Sequence, residues 1–205
     1  MMKIGTKSVL FGAHQFMIHP WFVAWGWWTL YGFPWDPRVW VACFVHDIGY
    51  IGKPNMDGPE GEQHPILGAR IMSALFDWGE FGHWHEFTLL HSRYFAKSLG
   101  LQPSRLCMAD KMAIALTPAW LYLPMVRASG EIHEYMAHAK HRIIGNINIT
   151  DDEKRRVTSN SQAEWYAGVQ SYCRRWALEH YRGTMDTWTS DSRNRATVNE
   201  FGVWK

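Results

Sequence analysis

His46 and Asp47 stand side by side at the end of an otherwise apolar run, Phe44-Val45-His46-Asp47-Ile48-Gly49-Tyr50. Neighbouring helical residues point about 100° apart, so an imidazole and a carboxylate placed here can reach one cation from adjoining directions. Cys43, Phe44 and Ile51 lie one turn before or after Asp47 and predict a buried carboxylate, which is costly unless paired or metal-bound. Asp110 repeats the situation. Leu106, Cys107, Ala113 and Ile114, three and four residues away, set it on an apolar helix face, where either a cation or an arginine from elsewhere must meet it. Six histidines, His14, His19, His64, His83, His85 and His91, precede or lie between these acids; His64 stands before Pro65 at a helix start, and His91 shares a face with Phe87 and Phe95. Each alone reads equally as a core histidine. Taken in order, His, His-Asp, His, His and Asp on successive helices form a nitrogen and oxygen set suited to one or two divalent ions of Mn, Fe, Co, Ni or Zn, and less to Mg.

The elements that must position these residues are helices, punctuated by Pro and Gly, with few alternating Val/Ile/Thr runs. The expected fold class is all-α, a helical bundle with a C-terminal helix and a polar tail. Pro20 opens one helix, which ends near Gly32, and Asp36-Pro37 opens another, which stops close to Gly49. Gly52 to Gln63, with Pro54 and Asp57-Gly58-Pro59, is an exposed ordered loop. Helices follow from Pro65, from about Glu80 to Leu99, and from Pro103 to about Leu116. Thr117 to Arg127, with Pro118 and Pro124, is expected to be irregular and apolar, packing over the core or walling a pocket. Gln162 to Arg182 is amphipathic, and Gly183 to Lys205 is a polar arm bearing tryptophans.

This combination resembles the HD-domain superfamily of metal-dependent phosphohydrolases over residues 14 to 125. His19-Pro20-Trp21-Phe22-Val23-Ala24 is similar to the opening histidine with a small apolar pair four residues on, His46-Asp47-Ile48-Gly49 to the signature, and Ala109-Asp110-Lys111-Met112-Ala113 to the closing aspartate. His64-Pro65-Ile66-Leu67-Gly68-Ala69 and His91 resemble the extra histidines of members that hold two metals. The resemblance implies a first metal on His19, His46, Asp47 and Asp110 and a second on His64 and His91, with Asp47 bridging. It also implies hydrolysis of a phosphate ester, a nucleotide above all, by water that the metals activate. Lys53, Arg93, Lys97 and Lys111 are the candidates for neutralising the phosphate, with Lys111 counted beside Asp47 as catalytic. His14 competes with His19 for the opening position, and His85 with His91. Tyr50 replaces the Lys or Glu that many members carry three residues after the signature aspartate, and no Gly-Tyr-Pro follows His91, which argues against the cyclic dinucleotide phosphodiesterase branch. Two other readings keep the fold: a di-iron oxygenase, or a non-catalytic binding module with a vestigial site.

At 205 residues, 47% hydrophobic and 20% charged, the chain is long enough for one domain. Residues 1–140 are expected to carry the metal site, with 141–205 as a helical extension packed on the same domain. A net charge of +2 excludes strong electrostatic attraction to nucleic acid or an anionic membrane and favours a small-molecule substrate, without excluding a homo-oligomer. Three widely spaced cysteines, Cys43, Cys107 and Cys173, without a cleavable signal pattern, predict reduced thiols and a cytoplasmic setting. Ser8 to Trp35 contains no Asp, Glu, Lys or Arg, which raises the transmembrane question. His14, Gln15, His19, Pro20 and bulk supplied by Trp and Tyr point instead to a buried core helix, with an aromatic surface touching lipid as the alternative. Around Trp21, Trp35, Trp120 and Tyr122 the same aromatics would suit base stacking.

Overall fold

The computed structural model describes residues 2–78, 83–142 and 148–183. Among them are eleven α-helices, two short 3₁₀ turns and no strand, so the fold is all-α. In chain order the helices are α1 Ile4–Phe11, α2 His19–Tyr31, α3 Pro37–Val45, α4 Pro65–Phe76, α5 Trp84–Leu89, α6 Arg93–Leu99, α7 Arg105–Leu116, α8 Ala119–Ser129, α9 Glu131–Arg142, α10 Asp151–Val157 and α11 Gln162–His180. Proline sits in the first turn of α2, α3 and α4, where its missing N–H is one that no helical carbonyl awaits.

Helix α7 lies at the centre, with α2 on one side and α11 on the other. Leu106, Ala109 and Ala113 of α7 join Val23, Ala24 and Trp27 of α2, Val39, Ala42 and Cys43 of α3, and Met72 of α4 in one buried cluster. Cys107, Met108, Met112 and Ala115 face the other way, onto Trp176 and Ala177 of α11. The α2–α7 crossing requires a glycine: a Cβ at Gly26 would collide with the carbonyl oxygen of Ala109. That close approach sets His19, at the head of α2, beside Asp110.

Several elements depart from the sequence expectation. Instead of one helix from Glu80 to Leu99 there are α5 and α6, interrupted at Leu90 to Ser92; residues 79–82 lie outside the described residues. The interruption is satisfied from elsewhere, since the Leu90 carbonyl accepts from the Ser104 N–H (3.0 Å) at the start of α7. Helix α3 stops at Val45, and His46 and Asp47 form the turn into a 3₁₀ segment, Ile48–Tyr50, so the pair is held by a bend rather than by a continuing helix. Thr117 to Arg127 is largely helical. Pro118 caps α8 and Pro124 lies inside it, and the residue whose carbonyl loses its helical donor, Trp120, is exposed.

The loop from Gly52 to Gln63 is only partly exposed. Met56 is buried, and the Glu134 carboxylate of α9 accepts from the backbone N–H of Met56 (2.9 Å) and Asp57 (2.8 Å). Helices α1, α9 and α10 are additional to those the sequence predicts. The charge-free stretch is not a wholly buried helix: α2 buries Val23, Ala24 and Trp27 and leaves Trp21, Trp25 and Trp28 more than half of the way to solvent or at half, at 57%, 50% and 59% exposed. No helix among the described residues is long and apolar enough to cross a membrane. Residues 184–205, the expected polar arm, lie outside the described residues.

The C-terminal helices are tied together by an ion pair. Glu153 of α10 is buried, caps its own helix through Thr150, and accepts from Arg175 Nη2 at 2.6 Å and Ser171 Oγ at 3.0 Å. Burial pushes its carboxyl up, but Arg175, the Thr150 N–H and Ser171 outweigh this and hold it below the ordinary range. A depressed folded-state pKa gives stability that is present above the unfolded value and lost as pH falls through the folded one. Glu153→Gln is therefore expected to cost about 2 kcal/mol at neutral pH, and the deficit against wild type should shrink as urea midpoints are followed from pH 6 to pH 3. An equal deficit at every pH would show that the charge contributes nothing.

Candidate metal centre

Six side chains from five places in the chain converge: His19 at the start of α2, His46 and Asp47 in the turn after α3, His64 before α4, His91 in the break between α5 and α6, and Asp110 in the middle of α7. All six are buried. Their ligand atoms fall into two groups, His19, His46, Asp47 and Asp110 in one and Asp47, His64 and His91 in the other. Asp47 divides its oxygens between them. Oδ2 lies 3.0 Å from His46 Nε2 and 3.3 Å from His19 Nε2, whereas Oδ1 lies 3.4 Å from His64 Nε2 and 3.3 Å from His91 Nε2. Asp110 Oδ1 closes the first group, 3.1 Å from His19 Nε2. A tetrahedral ion with bonds of about 2.0–2.1 Å has ligand atoms about 3.3 Å apart, close to these separations, with His46 Nε2 to Asp110 Oδ1 wider at 3.9 Å.

The backbone fixes the imidazoles in the form a metal requires. His46 Nδ1 donates to the Cys43 carbonyl (2.8 Å), His64 Nδ1 to Gly61 (2.7 Å) and His91 Nδ1 to Thr88 (2.6 Å). A carbonyl only accepts, so each Nδ1 carries the proton and each Nε2 presents a lone pair. His64 and His91 then aim two lone pairs at each other across 3.1 Å, an arrangement that a cation relieves. His19 Nε2, His46 Nε2 and Asp47 Oδ2 are buried without an aligned hydrogen-bond partner. Such orphans are costly unless something fills the space among them. The donor set therefore fits transition-metal ions.

Electrostatics agree. Burial pushes the Asp47 carboxyl up, but its neighbours His46, His14 and His19 hold it well below the usual range. Asp110 is likewise held low against burial, chiefly by Lys111 and His19. Burial keeps His64 well below the ordinary histidine value and lowers His91, so both are neutral ligands. His19 behaves differently: burial pulls it down, but the Asp110 and Asp47 carboxylates overcome this and raise it to about 9. In the absence of metal a proton occupies the place a cation would take.

Of the competing histidines, His85 lies on the surface and His91 in the cluster. His14 stands just outside, with Nε2 3.9 Å from Asp47 Oδ2 and Nδ1 2.8 Å from Ser8 Oγ. Beyond it is Glu131, fully buried, which takes the Ala13 N–H and Ser129 Oγ–H and lies 3.8 Å from His14. Nothing in the sequence marks Glu131, since the partners that tie it to the site, Ala13 and His14, come from the other end of the chain. Tyr50, three residues after Asp47, stacks on His64 with ring centroids 3.9 Å apart.

The basic candidates are placed in different ways. Lys111 donates to Asp110 Oδ2 at 2.9 Å. Burial lowers its pKa and the Asp110 charge more than restores it, so it is a cation throughout. Arg93 turns toward α11, over the Trp176 ring at 4.4 Å and donating to Tyr172 Oη at 3.0 Å. Lys53 lies half-buried at the start of the loop, where its carbonyl accepts from the Gly5 N–H, and Lys97 is half-buried in the last turn of α6. Neither belongs to the ligand groups. A narrow cleft lined by His14, Phe16, His19, Pro20, Phe44, Asp47 and Ile48 leads to the first group. No family model, curated protein or solved structure matches the chain, so its functional reading rests on this geometry.

Proposed function

We propose that the chain is a metal-dependent phosphohydrolase that cleaves a small phosphate ester. The observation that carries this is Asp47, one carboxylate whose two oxygens face two separate sets of buried imidazoles, so that it would serve an ion held with His19, His46 and Asp110 and another held with His64 and His91. Bound divalent ions supply Lewis acidity, polarising a phosphoryl oxygen and bringing the pKa of water toward 7. The chain's residues supply the rest. Asp47 and Asp110 contribute two negative charges, fewer than two divalent cations bring, and the surplus positive charge favours a phosphate dianion over a neutral substrate. Lys111 engages Oδ2 of Asp110 and leaves Oδ1 turned toward His19, so its part is to orient a ligand. His14, held by Ser8 and facing Glu131 at the mouth, is placed to hydrogen-bond a ligand entering by the cleft. The resemblance to the HD-domain superfamily supports the same reading from the order of the ligands along the chain.

The test joins elemental analysis of protein purified without chelator to phosphate release from a panel of mono-, di- and triphosphate esters. About two transition-metal ions per chain, with release from at least one ester class that chelation abolishes, is the expected result. Two iron ions with oxygen consumption and no phosphate release would replace this reading with an oxygenase, and the absence of metal even after reconstitution would leave a binding module.

A further inference from the structure

The metal cleft does not end at its metal ligands. Its outer wall includes Pro20 and Phe44, and Phe44 meets Trp21 edge-on, with ring centroids 5.5 Å apart. Trp21 also lines a second, larger groove of about 260 Å³, formed with Trp25, Trp28, Phe33, Pro34 and Trp40. Trp21 and Trp40 are in contact at 5.9 Å, and Phe33 bridges Trp28 and Trp40 at 5.9 and 6.0 Å. A continuous aromatic track therefore runs from the metal centre, across Trp21, into an apolar groove on the outer face of α2. No Asp, Glu, Lys or Arg occurs from Ser8 to Trp35, and the nearest charges beyond, Asp36 and Arg38, neutralise one another at 2.8 Å.

We infer that this groove holds the hydrocarbon chain of an amphiphilic phosphate ester whose phosphate lies at the metal centre. The inference rests on the phosphohydrolase reading and narrows its substrate class. Two features favour a hydrocarbon over a nucleobase. A base seated here would leave the donors and acceptors of its edges without partners, a cost that an alkyl or prenyl chain does not incur. One indole N–H of the groove is already taken, since Trp40 Nε1 donates to the Pro34 carbonyl at 2.8 Å. Trp21, Trp25 and Trp28 are at least half exposed and recover burial when a chain lies across them, in proportion to the apolar area covered.

The test is calorimetric binding of methyl-, butyl- and octylphosphonate, each below its aggregation concentration, to the metal-loaded full-length protein. These ligands are not hydrolysed, so the readout does not depend on turnover. Affinity is expected to rise about two- to fourfold per added methylene. In Trp25→Ser/Trp28→Ser, whose side chains are exposed and whose fold is checked by circular dichroism, that dependence should collapse. Equal affinities across the wild-type series, or a chain-length dependence that survives the double substitution, would overturn the proposal. So would ligand-independent sedimentation of the protein with phosphatidylcholine vesicles, which would assign the face to a bilayer, or a dimer that the double substitution dissociates, which would assign it to a second copy. Failure of the two readings is distinguishable: a flat phosphonate series with methyl phosphate still hydrolysed removes the groove alone, and a rising series with no ester hydrolysed removes the hydrolase reading.

Discussion

Asp47→Ala is expected to strip both metal ions at once, taking elemental content from about two per chain to none, and to lower phosphate release by on the order of 10³-fold or more. The size follows from the geometry. Each oxygen of Asp47 serves a different group of histidines, so one truncation removes a ligand from both and leaves the single carboxylate of Asp110, with two imidazoles in each group, to hold two dications in a buried site. His91→Gln supplies the contrast. His91 belongs to the second group alone, so about one ion per chain should remain, held by His19, His46, Asp47 and Asp110. If Asp47→Ala kept its full metal content, or if His91→Gln lost both ions, the bridged two-ion arrangement would be wrong.

Removing the metal from the wild-type protein should lower its melting temperature by roughly 8–16 °C. A ligand present at 1,000 times its dissociation constant stabilises the folded state by about 4.1 kcal/mol, and a chain of this size shifts by about 2–4 °C per kcal/mol. The stabilised elements are those the ligands join, α2, α4 and α7 and the turns at His46 and His91. Without cations these elements enclose two carboxylates and a set of opposed lone pairs. The measurement is a thermal melt with and without chelator, beside Asp47→Ala under both conditions. The variant should melt at one temperature throughout. A chelator-induced drop of the same size in the variant would place the stabilising ion elsewhere.

Local chemistry was legible in the chain. Prolines at positions 20, 37 and 65 mark the starts of α2, α3 and α4, because the effect of a missing N–H is decided within one helical turn. The capping box of Thr150 and Glu153 is a local signal of the same kind at the start of α10. The buried state of Asp47 and Asp110 followed from apolar neighbours within one turn. Features that depend on distant partners were not legible. The break that frees His91 is satisfied by Ser104, thirteen residues on from that histidine, and a helical pattern from Glu80 to Leu99 carries no trace of it. Pro118 and Pro124 argued for irregular chain, yet packing of α8 against α1 and α11 keeps it helical.

The sequence by itself determined that the fold is helical and which side chains are able to bind metal, because helix period, proline placement and ligand chemistry are properties of residues and their near neighbours. Tertiary structure decided that His19 and His91 enter the cluster while His14 stands at its rim and His85 on the surface. It also decided that Glu131 closes in behind His14, and that the charge-free helix shows three of its four tryptophans to solvent beside the cleft. Those outcomes depend on how α2 and α7 cross at Gly26 and on where α5 gives way to α6, which are set by packing between segments far apart in the chain.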